Sequence, residues 1–173
     1  MKKRKVWIIL PLLLLCGCSA AKQTVEPSFD FTATCTAGES FSGQLTFLSD
    51  GISKITAATP EDLSGMTAEE SNAIVTVKFS GIEKSSERYP GIKELSVSKI
   101  LLALRDVSKA SLNYLSQYED GTRVYSAQGN LGEYQLGVSP QGTICYLTNT
   151  AADFSIKLSD VTKLNVNSSP SEN

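Results

Sequence analysis

Between residues 29 and 164 the apolar positions recur mostly at every second residue. Phe29, Phe31, Ala33 and Cys35 alternate with polar or small residues, and Phe41, Leu45 and Phe47 do so across Gly43. A period of two marks a strand with one buried face. Asp50-Gly51 comes next and predicts a type I′ hairpin, whose two central residues need positive φ. Ile52 to Ala57 is the expected return strand. Thr59 to Asn72 breaks the alternation and is expected as loop or short helix, with Pro60 heading Pro-Glu-Asp-Leu. Val75, Val77 and Phe79 then alternate as far as Gly81.

From Ser96 to Ala110 the period changes. Val97, Ile100, Leu101, Leu104 and Val107 fall at helical spacing, with Lys99, Arg105, Asp106 and Lys109 mostly off that stripe. Ser96 or Ser98 can cap its start. Strands and tight turns then return. Leu112, Tyr114 and Tyr118 lead to Asp120-Gly121, and Arg123 to Ala127 leads to Gly129-Asn130-Leu131-Gly132. Tyr134, Leu136 and Val138 lead to Ser139-Pro140-Gln141-Gly142. Ile144 to Thr148, then Phe154, Ile156, Leu158 and Val161, close the series. Links this short join antiparallel neighbours, so about five strands form a meander. One amphipathic helix needs an apolar surface to cover, and a curved sheet around it is economical. The expected class is α+β, a curved, mainly antiparallel, half-barrel-like sheet packed on one main helix. Residues 29–164 form that single domain.

The first residues follow neither period. Lys2, Lys3, Arg4 and Lys5 precede the apolar run Val6 to Leu15, broken only by Pro11. A charged head before a short apolar run is a secretory signal. The run is shorter than the roughly 20 residues a membrane span needs. Leu15-Cys16-Gly17-Cys18 resembles the lipobox of bacterial lipoproteins. The resemblance implies cleavage after Gly17 and a thioether-linked diacylglycerol on Cys18. Acyl chains anchor by about 0.8 kcal/mol per buried CH2. An ordinary signal cut after Ala20 or Ala21 is the alternative. On the lipoprotein reading, residues 1–17 are the signal peptide and 18–28 the lipidated Cys and polar tether. The protein is then held at the cell membrane on its extracytoplasmic face. Residues 165–173 read as a disordered tail.

Beyond the anchor, the order of elements resembles a group of small uncharacterised lipoproteins from clostridia-type bacteria. The residues that carry this are Pro60 with Leu63-Ser64-Gly65-Met66, Phe79-Ser80-Gly81-Ile82, the helix, and the turns at Asp120-Gly121 and Gly142. Their organisation is similar to the bacterial lipoprotein carriers, whose half-open barrel holds acyl chains against helices. The likeness covers about residues 28–164 and implies a lipid or other apolar ligand.

Composition narrows the chemistry. The chain has 173 residues and no His, which removes Ser-His-Asp and Cys-His catalysis and His-based zinc sites. A net charge of -2 gives no footprint for nucleic acid. Loss of residues 1–17 removes four cations and no acids, leaving 12 basic and 18 acidic residues, a net of -6. Cys35 and Cys145 are a candidate disulfide for an oxidising compartment. It would close a loop of about 110 residues, worth on the order of 4–5 kcal/mol. Two separate core thiols are the alternative.

Motifs for catalysis are thin. Ser96-Val97-Ser98-Lys99 and Ser111-Leu112-Asn113 echo the serine-lysine penicillin-recognising enzymes. No Lys-Thr-Gly follows, and the chain is short for that fold. A helix cap with a solvated Lys accounts for the first motif. The acid pairs Glu61-Asp62, Glu69-Glu70 and Glu119-Asp120 fall in expected loops or turns and read as solvated. They lack calcium-loop spacing. No enzyme, metal or cofactor is expected.

Two functions remain. The first is a membrane-anchored module binding a lipid or apolar ligand between the sheet and the Ile100–Leu101–Leu104 stripe. Phe31, Phe41, Phe47, Val75, Val77 and Phe79 are its candidate lining, or simply core. The second is a structural or protein-interaction module of the cell envelope with a filled core.

Overall fold

The computed structural model describes residues 25–72, 74–87 and 96–165. Six strands precede the helix: β1 (Phe31–Ala37), β2 (Phe41–Phe47), β3 (Ser53–Thr59), β4 (Thr67–Ser71), β5 (Ile74–Phe79) and β6 (Ile82–Glu87). Helix α1 spans Ser96–Lys109. Five strands follow it: β7 (Asn113–Gln117), β8 (Arg123–Gly129), β9 (Gly132–Val138), β10 (Ile144–Asn149) and β11 (Phe154–Lys163). All eleven form one antiparallel sheet in the order β6-β5-β4-β3-β2-β1-β11-β10-β9-β8-β7. The first and last strands pair at its centre, where Cys35 faces Leu158. The sheet does not close, and β6 and β7 are its two edges.

This corrects the expected class. Strand makes up 55% of the structure and helix 12%, so the class is mainly β and not α+β, while the antiparallel sheet packed on one helix is as expected. Two strands were hidden in the sequence. β4 lies where loop or helix was expected, and β6 follows a segment expected to end at Gly81. A single 3-10 turn, Glu61–Leu63, is the only helical piece of the Thr59–Asn72 segment.

The helix explains the shape of the sheet. It lies against β2, β3 and β4 on one side and β8 on the other. In a flat sheet β4 and β8 would stand about 34 Å apart at about 4.8 Å per strand, whereas a helix is about 10–12 Å across. The sheet therefore curls around α1. Val97, Ile100, Leu101, Leu104 and Val107 are all buried in the resulting core.

The Asp50-Gly51 hairpin forms, with β2 and β3 paired antiparallel, but its turn is corrected. Neither residue has positive φ, so no type I′ turn forms. Five residues, 48–52, join β2 to β3, and partners elsewhere hold them. Asp30 Oδ1 accepts from Ser49 N at 2.8 Å, and Arg105 binds three of the segment's carbonyls. The second Asp-Gly turn does use its glycine, with Gly121 at φ 85° and Asp120 Oδ1 accepting from Thr122 N at 2.8 Å.

Candidate functional site

The expected ligand space lies under the helix. Phe31, Phe41, Phe47, Val75, Ile100, Leu101 and Leu104 are buried there in one continuous cluster, with Val77 and Phe79 half-buried against it. Phe31 and Phe47 pack with ring centroids 5.9 Å apart. These side chains fill one another's space and act as core, so the structure moves the search for a ligand elsewhere. Gly17 and Cys18 lie outside the described residues.

An open cleft of about 430 Å3 lies where the chain joins the sheet. Its walls are Val25, Glu26, Pro27, Phe29, Leu112, Tyr114 and Tyr125, and all but Glu26 are apolar or aromatic. The leading segment is held as one wall. Ser28 N donates to Gly142 O at 3.0 Å, and Tyr125 OH donates to Val25 O at 3.4 Å. Leu164 N donates to Asp30 O at 2.8 Å. The facing wall is set by β7 and β8, whose register puts Tyr114 opposite Tyr125. Their rings meet edge to face at 77° with centroids 5.9 Å apart, a favoured aromatic geometry. The cleft falls within the usual volume of small-molecule sites, about 300–1,000 Å3.

Comparison with protein-family models returns no match, and comparison with curated proteins returns none. Among solved structures, an uncharacterized conserved protein from Thermus thermophilus is similar at 10% identity and a TM-score of 0.47, over 83% of this chain and 82% of that one. A LolA superfamily protein from Nitrosomonas europaea is similar at 10% identity and a TM-score of 0.41, over 82% of this chain and 90% of that one.

A second, polar feature sits where α1 ends. Arg105, expected off the apolar stripe, is buried, and so is Glu70, expected to be solvated. Arg105 Nε and Nη2 donate to Glu70 Oε2 at 2.8 and 2.6 Å. Nη1 donates to Leu48 O at 2.8 Å and to Ser49 O, and Nη2 to Gly51 O at 2.8 Å. The guanidinium also stacks 5.0 Å from the Phe47 ring centroid. Its donors are satisfied from within, so the adjoining polar cleft of about 310 Å3 is offered none of them. The next residue braces the other wall. Asp106 Oδ1 accepts from Asn130 Nδ2 at 2.6 Å, and Oδ2 accepts from Asn130 N at 3.1 Å and Tyr134 OH at 3.4 Å. Burial, then the Asp106 charge, pushes the Tyr134 phenol above its ordinary range. Arg105 and Asp106 thus tie the two halves of the open sheet to one helical turn. A signal for Arg105 was present: it lies four residues after Leu101, so the two share a side of the helix.

The cysteine pair is resolved by topology. Cys35 is on β1 and Cys145 on β10, with β11 between them. Two strand spacings are about 9.6 Å, beyond the roughly 7 Å Cα reach of a disulfide. The candidate bridge is not formed, and both thiols are free. Burial pushes the Cys35 thiol up to about 12. Burial raises Cys145 as well, against a lowering backbone hydrogen bond at Ser139. Cys35 is fully buried and Cys145 only partly. Iodoacetamide at pH 8 is therefore expected to label Cys145 and spare Cys35 by at least about 100-fold, since only accessible thiolate reacts. Peptide mapping checks this; equal labelling of the native protein would refute it.

Proposed function

We propose that this protein is a membrane-tethered, extracytoplasmic lipoprotein whose domain binds an apolar, lipid-like ligand without catalysing a reaction. The carrying observation is the apolar cleft between residues 25–29 and the Tyr114–Tyr125 pair. It replaces the filled core under α1 as the binding place. Val25 is seven residues from Cys18. Seven extended residues reach at most about 25 Å, so an anchored Cys18 keeps the cleft near the bilayer. That is where acyl chains are available.

A fluorescent apolar probe tests the cleft. It is expected to bind the wild-type protein in the micromolar range and to lose about 10-fold or more in affinity with Leu112→Glu. A carboxylate in an apolar wall is desolvated without a partner. Equal binding by both proteins would place the probe elsewhere. The anchor has its own test: Cys18→Ala is expected to move the protein from the membrane fraction to the soluble one. A variant that stays with the membrane would defeat the lipoprotein reading. The filled core itself favours the second reading, an envelope structural or interaction module. Crosslinking in intact cells that returns one defined protein partner, with no probe binding, would establish it.

A further inference from the structure

The cleft is apolar but not neutral. Glu26 is its one charged wall residue. That side chain is exposed, and among the described residues it takes part in no ion pair. The facing wall holds Tyr114 and Tyr125, with ring planes at 77° and centroids 5.9 Å apart. Two rings set nearly at right angles make a corner, and Phe29 adds a third ring to the lining. The Tyr125 hydroxyl is already committed to Val25 O, so this residue offers the cleft its ring and not its phenol. Lys163 lies by the same leading segment at Gly142, but it donates to Gln141 O and is not in the wall. The face of an aromatic ring is the negative end of its quadrupole and attracts cations. The Glu26 carboxylate adds to that attraction. On the lipoprotein reading so does the whole domain, with 12 basic and 18 acidic residues, a net of -6.

Resting on the cleft-binding reading above, we propose that the ligand is an amphiphile with a quaternary ammonium group. The ammonium lies between Glu26 and the Tyr114–Tyr125 corner, and the chain runs along Phe29 and Leu112. A primary ammonium fits less well. It is strongly hydrated and has three donors to satisfy, and Glu26 is the one carboxylate in the wall. A trimethylammonium group has no N–H, so its methyl shell can leave water for rings and apolar side chains. An anionic head would meet Glu26 with like charge. The rings and the acid thus select the head, and the aliphatic wall holds the chain.

The test compares dodecyltrimethylammonium, dodecylammonium and dodecanol, three probes of equal chain length, by calorimetric titration of the full-length processed protein below micelle-forming concentrations. Wild type is expected to prefer dodecyltrimethylammonium over dodecanol by about 10-fold, the scale of a cation held against aromatic faces. Glu26→Gln is expected to cut that preference about 3-fold, as befits an exposed charge. Tyr114→Leu is expected to cut it about 5-fold, and Tyr114→Phe, which retains a ring, to keep most of it. Choline, which lacks the chain, is expected to bind at least about 10-fold more weakly than dodecyltrimethylammonium. Equal binding of dodecyltrimethylammonium and dodecanol by wild type overturns the headgroup assignment alone, and so does a preference that survives Glu26→Gln or Tyr114→Leu unchanged. Dodecylammonium binding as tightly as the quaternary probe overturns the choice of a quaternary head. Choline binding as tightly as the long-chain probe overturns the amphiphile in favour of a free small cation. Failure of all the probes to bind overturns the cleft reading as well.

Discussion

Arg105→Ala is expected to cost about 3–5 kcal/mol of folding stability, because it breaks a buried ion pair and removes the two charge-assisted bonds that Glu70 accepts from it. Glu70 is fully buried on β4, and Arg105 approaches it with two N–H groups. Natural domains have only about 5–15 kcal/mol in total. With a urea slope of about 2 kcal/mol/M, the unfolding midpoint should fall by about 2 M. The three loop carbonyls that Arg105 serves are a separate matter. Ser49 and Gly51 are only partly buried, so water can replace the guanidinium there. The double variant Arg105→Met with Glu70→Leu separates the two effects. Replacing both partners of a buried pair by apolar residues is often nearly neutral. The double variant should therefore be more stable than Arg105→Ala by at least about 2 kcal/mol. If it is no more stable, the carbonyl contacts dominate and Glu70 is not the source of the cost.

The same pair explains much of what the sequence hid. β4 reads Thr-Ala-Glu-Glu-Ser, and its inward positions are Ala68 and Glu70. An acid at an inward position erases the apolar alternation that marks a strand. It sits there paired with an arginine 35 residues later. β6 was hidden for the opposite reason. Residues 82–85 are exposed, and an edge strand carrying Glu83 and Lys84 has no inward set to display; charges there also block edge-to-edge pairing. The meander after α1 was legible because Gly121, Gly132 and Gly142 each take the positive φ their turns require. The helix was legible from its stripe, but its weight in the class was overestimated: fourteen residues stand against eleven strands. The cleft had no local signature. Its walls come from residues 25–29, 112–114 and 125, and only the pairing of β7 with β8 brings the two tyrosines together.

Phe47 joins the apolar core to this brace, and Phe47→Ala is the second large effect. Its side chain is fully buried at the end of β2, against Phe31 on one side and under the Arg105 guanidinium on the other. Deleting a buried Phe costs about 3–5 kcal/mol through lost transfer energy and the cavity left behind. Here part of that cost should depend on Arg105. A cation over a desolvated ring contributes up to about 2 kcal/mol, and Phe47 also walls the guanidinium from water. A double-mutant cycle over Phe47→Leu and Arg105→Met measures this coupling, since Leu keeps most of the volume and removes only the ring. We expect a coupling of about 1–2 kcal/mol, above the few tenths typical of independent sites. A value near zero would mean that Phe47 acts as core alone and that Arg105 is held by Glu70 and the loop carbonyls. The sheet would then be tied to the helix by two independent devices, an apolar stripe and a polar clamp, and not by one continuous cluster that runs from Phe31 through Phe47 to Glu70.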